Sequence, residues 1–217
     1  TYVKKSAKPV TVGYHSPTSA PKIVFEGAMD SAGLRITEDA NATKADADIL
    51  MIDLKGIANV IPAMVAKQVE FAVVPAPTPE VVESKNQGHI VLQMKELPPA
   101  GRWKSFPCCC VAGRTEIIEK NPEAVKAFVK LLTSKWCGKN KLEAAQAASD
   151  WLGVPTSVIA KADMEFSTTV TKKWLKNAAL YPEMLSRLGQ LSGQLKDKKL
   201  DDVKNLVFDF RFTEIEK

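Results

Sequence analysis

The alternation of apolar and polar positions is clearest in the first third of the chain. "PVTVGY", Pro9 to Tyr14, is rich in β-branched residues and stopped by Ser16 and Pro17, which predicts a short strand. "TSAPKIVFEGAMDSAGL" follows at once. Thr18 or Ser19 stands at the N-cap, Pro21 near the first helical position, apolar Ile23, Val24, Ala28 and Met29 at helical spacing, and Gly33 at the stop, which predicts a helix. "ADILMIDL", Ala47 to Leu54, is a nearly unbroken apolar run, the pattern of a strand covered on both faces. Beyond Gly56, "NVIPAMVAKQ" repeats the helix device with Asn59 at its cap, and "VEFAVVPAP", Val69 to Pro77, predicts a third strand ended by prolines. Residues 9–77 therefore predict a βαβαβ unit. "PEVVESKNQG" adds a helix closed by Gly88, and Ile90 to Met94 a further strand.

The rhythm changes after "KELPPAGRWKSFP", a stretch rich in turn residues that predicts a linker over 99–107 between an α/β unit at 8–98 and a mainly helical part at 108–217. "NPEAVKAFVKLLTSKWCG" has Asn121 as cap, Pro122 at the first helical position, and apolar 125, 128, 129 and 132 on one face. Helices at "LEAAQAASDWLG" and "PTSVIAKADMEF" and a long helical stretch from about Thr168 to Leu195 are expected next. "DDVKNLVFDFRF" then gives an acidic helix start ending on aromatics that could dock the tail.

Composition narrows the classes. The 217 residues, 45% hydrophobic and 25% charged, suffice for one large or two small domains. The net charge of +5 resides in segments such as "VTKKWLKNA", with a single aromatic residue, and "GQLKDKKLDDVK", with none; they read as solvated helix faces and no nucleic-acid partner is expected. No run approaches a membrane span, and "TYVKKSAKPV" lacks the apolar core of a signal peptide.

In order, "VTVGYHSPTSAPKIVFEGAMDSAGL", "DLKGIANVIPAMVAKQVEFAVVPAPTPEV" and "IIEKNPEAVKAFVKLLTSK" resemble the substrate-binding proteins of nitrate/sulfonate/taurine-type ABC importers, a superfamily that includes thiamine-pyrimidine synthases. The resemblance covers roughly residues 8–135. It departs at Lys67-Gln68 and Glu70, where the family has a glycine and an aspartate.

The resemblance implies a type II periplasmic-binding-protein fold: an α/β three-layer lobe plus a helical part completing the partner lobe. It implies a small-molecule ligand, an ABC permease as partner, no cofactor, no catalysis, and a periplasmic or extracellular location at the membrane. Family members open with a first lobe before the segment matched by "VTVGYHSPTSAP", so a first-lobe segment is expected to be missing here or separately supplied. The alternatives are a thiamine-pyrimidine synthase-like enzyme using cysteines with iron, and a ligand-sensing module without transport.

Two sequence features bear on chemistry. Cys108-Cys109-Cys110 falls where pyrimidine synthases carry a cysteine-rich motif with a further cysteine two positions after the triplet; Ala112 stands there instead. On a strand, Cys108 and Cys110 would share one face, and three adjacent residues cannot close a tetrahedral site alone, so the triplet is expected to act as small apolar strand residues, with a disulfide to Cys137 the other course. The loop "YHSPTSAP" carries the stronger functional signal. A hydroxyl-rich loop opening a helix presents unpaired backbone N–H groups and a positive dipole end to a carboxylate, sulfonate or nitrate. Because ligands of open α/β sheets bind beyond the carboxyl ends of the strands, the candidate ligand residues are His15, Ser16, Thr18, Ser19, Lys55, Asn59, Pro75, Pro77 and Thr78, with Trp103 as a wall or hinge.

Overall fold

The structure, a computed structural model, describes residues 2–135, 140–162, 164 and 169–216. The chain forms two compact units, Thr1–Lys104 and Ser105–Lys217.

In the first unit a short helix α1 (Tyr2–Lys5) precedes β1 (Val10–Tyr14), α2 (Ala20–Ser31), β2 (Ile36–Thr37), β3 (Ile49–Asp53), α3 (Val60–Val65), β4 (Phe71–Val73) and α4 (Thr78–Ser84). The four strands form one parallel sheet in the order β2-β3-β1-β4. Strand periodicity divides its residues between two faces. Val10, Val12 and Tyr14 join Ile49 and Met51 in a buried cluster with Phe25 and Met29 of α2. Leu54, Val60, Ala63 and Val69 form a second cluster, with Ile52, Ala72 and Met64 of α3 packed against it. The result is three layers, α2, sheet and α3, and the architecture is α/β as the sequence predicts. Gly13 leaves room for this packing: a Cβ there would lie 2.7 Å from Leu54 Cδ1 and 3.2 Å from Val69 Cγ1, so those side chains would have to shift.

Two readings of this unit need correction. Ile36–Thr37 is a strand too short for any periodicity to reveal. Ile90–Met94 is not a strand: the chain there is irregular before a 3-10 turn at Met94–Glu96, and Val91 and Leu92 are 69% and 60% exposed. An apolar run becomes a strand only when an edge pairs with it.

The second unit holds α5 (Thr115–Lys120), α6 (Pro122–Lys135), α7 (Lys141–Leu152), α8 (Thr156–Ile159), β5 (Thr169–Val170), α9 (Lys172–Ala178), α10 (Leu180–Arg187), α11 (Leu200–Val207) and β6 (Glu214–Ile215). Asn140 caps α7 by accepting from the Glu143 amide, and Gly153 ends it in the left-handed conformation. The long helical stretch expected from about 168 to 195 is divided into α9, α10 and a 3-10 turn, with β5 ahead of them. Thr171 starts α9 by accepting from the Trp174 amide. Pro182 has no N–H for the Ala178 carbonyl, which accounts for the break at Ala179. The C-terminal aromatics do dock: Phe208 lies edge-on to Trp174 at 5.2 Å between ring centroids and stacks at a tilt on Phe210. Among the described residues no helix is long and apolar enough to cross a membrane.

Candidate functional site

The register of the sheet brings its carboxyl ends level, with Tyr14 opposite Asp53 on one side and Val73 on the other. Three of the predicted loops thus start from adjacent strands: 15–19 after β1, 54–59 after β3 and 74–77 after β4. The order β2-β3-β1-β4 sends the chain outward to both sides of β1, so its end is the topological switch point at which open α/β sheets bind ligands.

At the first loop Ser19 occupies the N-cap of α2 without capping it. Its Oγ donates to the Ser16 carbonyl at 2.9 Å, so no side chain accepts from the first turn. Pro21 has no N–H, which leaves the amides of Ala20 and Lys22 as the free donors of a twelve-residue helix. Thr18 is exposed. The His15 ring is half-buried, its Nδ1 has no hydrogen-bond partner, and burial pushes its pKa below the ordinary value, so it is neutral at physiological pH.

The second loop is occupied with itself. Lys55 adopts a positive φ of 59°; its backbone N–H donates to Asp53 Oδ1 at 2.9 Å and its Nζ to Oδ2 at 2.7 Å. Those bonds from Lys55 hold the Asp53 carboxyl below the usual carboxylate range. Asn59 sits at the N-cap of α3 but turns its amide back, donating to the Leu54 carbonyl at 2.7 Å. Beside it opens a cavity of about 440 Å³, lined by Ile52, Asp53, Leu54, Asn59, Ala63 and Gln68 among others, within the size range of small-molecule sites. At the third loop the Thr78 amide donates to the Pro75 carbonyl, and Pro77 precedes α4.

Trp103 does not serve as a ligand wall: it is 1% exposed and its Nε1 donates to the Pro98 carbonyl at 2.8 Å, the position of a packing residue with its one polar atom satisfied.

A charged cluster at the same rim escapes the sequence reading. Lys22, in the first turn of α2, is 3% exposed. Its Nζ lies 2.7 Å from Glu26 Oε1, 3.2 Å from Glu38 Oε1, and 4.9 Å from the Tyr14 ring centroid. Tyr14 donates to Glu38 at 3.0 Å. Burial, then Glu38, Asp53 and Glu26, push the Tyr14 phenol far above its ordinary pKa. The signal for the pair was present in the sequence, since Lys22 and Glu26 are four residues apart on a helix, the spacing of facing partners.

The cysteines also differ from expectation. Residues 108–110 form no strand and all three side chains are exposed, so they are not buried apolar strand residues. Cys137 lies outside the described residues, and with it any disulfide to the triplet. Among the described residues no group of three or more His, Cys, Asp or Glu side chains is gathered as a metal site.

Residues 2–153 match the NMT1-like family, and the chain belongs to this family of nitrate/sulfonate/taurine-type ABC substrate-binding proteins. It is a solute-binding protein of the ABC-importer class, whose members work outside the cytoplasm with a small-molecule ligand and a membrane permease as partners. No curated protein and no solved structure matches the chain.

Proposed function

We propose that the protein captures a small zwitterionic or anionic organic solute, of the taurine, sulfonate, nitrate or carboxylate type, in the periplasm and delivers it to its permease without catalysis. The first unit acts as the second lobe of the family's two-lobed cleft, and closure around the ligand is the signal that the permease reads. The observation that carries this reading is the uncapped start of α2. Ser19 points away from the helix, so the Ala20 and Lys22 amides remain for an acidic group. Ser16, Thr18 and the neutral His15 stand in the same loop as further hydrogen-bonding groups.

The surrounding charge favours a zwitterion over a simple anion. Glu38 and Asp53 lie at the ends of β2 and β3, and Glu38 keeps a half-exposed side chain that a ligand ammonium can reach. A sulfonate or carboxylate at the loop and an ammonium at Glu38 divide the ligand between the two signs.

The test is calorimetric titration of the full-length protein with taurine, ethanesulfonate, nitrate and aromatic carboxylates, before and after Ser16→Ala/Thr18→Ala. Loss of a hydrogen bond to a charged partner is worth about 1.5–3 kcal/mol, so affinity falls roughly tenfold or more per site. Taurine binds more tightly than ethanesulfonate, and Glu38→Gln removes that preference. An affinity untouched by the double substitution refutes the reading.

A further inference from the structure

The cysteine triplet belongs to the second unit, and its setting is more ordered than an exposed loop requires. The residues just before it are pinned to α9 and α10. Asn177 Nδ2 donates to the Ser105 carbonyl at 2.9 Å, Lys173 Nζ to Ser105 Oγ at 3.0 Å, and the Tyr181 hydroxyl to the Pro107 carbonyl at 2.7 Å. Phe106 is 7% exposed with its ring 4.7 Å from that of Tyr181. Immediately beyond this anchor the Sγ atoms of Cys108 and Cys109 stand 3.4 Å apart, both accessible.

We propose that Cys108 and Cys109 form a vicinal-dithiol site that captures one soft, thiophilic centre, of the class represented by trivalent organoarsenicals. Three competing fates of the pair can be separated by geometry. A direct disulfide is disfavoured because neighbouring Cα atoms are about 3.8 Å apart across a trans peptide, short of the roughly 4.4–6.8 Å that disulfides adopt, so the eight-membered ring is strained and readily reduced. A tetrahedral ion needs two more donors and an angle near 109° between each pair, and no third or fourth ligand is gathered among the described residues. A pyramidal centre needs less: with bonds of about 2.3 Å, two sulfurs 3.4 Å apart subtend about 95°, close to the angles such centres prefer. Soft thiolate donors select soft acceptors of this kind.

Capture requires no oxidant. With an arsenoxide, two As–S bonds form and the As–O bond is broken. The two thiol protons leave with the oxygen as water, and the arsenic keeps its oxidation state. Desolvation and the neighbouring Cys109 push the Cys108 thiol up to about 11, so Cys108 is protonated at neutral pH and reacts sluggishly with one-point alkylating reagents, which require a thiolate.

The experiment treats the full-length protein, carrying Cys137→Ser to remove the fourth cysteine, with phenylarsine oxide and reads adducts by intact mass. One adduct per chain is expected, reversed by a dithiol and resistant to the same concentration of a monothiol. It persists in Cys110→Ser and weakens at least tenfold in Cys108→Ser and in Cys109→Ser. An adduct that survives either of those two substitutions, or that requires Cys110, overturns the proposal. So does ready conversion of the pair to a Cys108–Cys109 disulfide by oxidised glutathione. Far-UV circular dichroism of each variant excludes misfolding as the cause of a lost adduct.

Discussion

Replacing Lys22 by methionine tests the buried charge cluster at the rim directly. Lys22 and Glu26 are 3% and 5% exposed, and the 2.7 Å contact between them is the chief compensation for Glu26, whose Oε2 is buried without a partner. Methionine retains the length and apolar stem of lysine but leaves the Glu26 carboxylate uncompensated. Breaking a buried pair from one side costs about 3–5 kcal/mol. The lost contact with Glu38 adds little, because that side chain is 55% exposed and such pairs contribute at most about 1 kcal/mol. Against a total stability of about 5–15 kcal/mol, the loss is large. Urea unfolding followed by far-UV circular dichroism should show a lower midpoint at an unchanged slope. Lys22→Met/Glu26→Leu should recover most of it, since a well-packed apolar pair in place of a buried ion pair is about neutral or better. A single variant within about 1 kcal/mol of wild type, or a double variant as unstable as the single, would refute this account.

Gly13→Ala should destabilise by about 1–3 kcal/mol, because the new methyl group enters space held by Leu54 and Val69; differential scanning calorimetry reads the shift. Asp48 accepts from the Arg35 backbone N–H at 3.0 Å and Nε at 3.2 Å, and pairs with Lys44 at 3.1 Å, bonds that hold its carboxyl far below the usual range. A depressed carboxylate stabilises the fold above its unfolded pKa, about 3.9, and that stability disappears as pH falls from there through the native value. Asp48→Asn should therefore lower stability at neutral pH by about 1–3 kcal/mol and flatten the acid limb of the stability curve measured by urea unfolding between pH 2 and 5.

The parts of the fold that are legible in the sequence are those whose pattern and punctuation agree. β1 ends at its breakers, α2 lies between its N-cap Ser19 and a left-handed Gly33, and β3 falls within the apolar run 47–54. Pro122 opens α6 at the position where its missing N–H costs nothing. The failures share a cause, which is that a local pattern does not specify a partner. Val91 and Leu92 look like strand residues but pair with no edge, and the cysteines look like a buried strand but lie in the open. At the site, the hydroxyl-rich loop is visible because its residue types are contiguous. The cluster of Tyr14, Lys22, Glu26 and Glu38 is assembled from β1, two turns of α2 and the end of β2, and charged residues on a helix otherwise read as its solvent face.

The position of β1 between β3 and β4 also sets an order of events in the growing chain. Val10 pairs with Ile49, 39 residues later, and Val12 with Phe71, 59 residues later. β1, made before its two partners, has both edges unpaired until Ile49–Asp53 has emerged and one edge unpaired until Phe71–Val73 has, and the entropy of closing these loops precedes any reward from the ladder. Nascent chains that stop short of β4 expose one edge of Val10–Tyr14, a template for intermolecular pairing. Arrested chains released at about residue 60 should accordingly bind holdase chaperones or aggregate, whereas those extending past α4 should resist both.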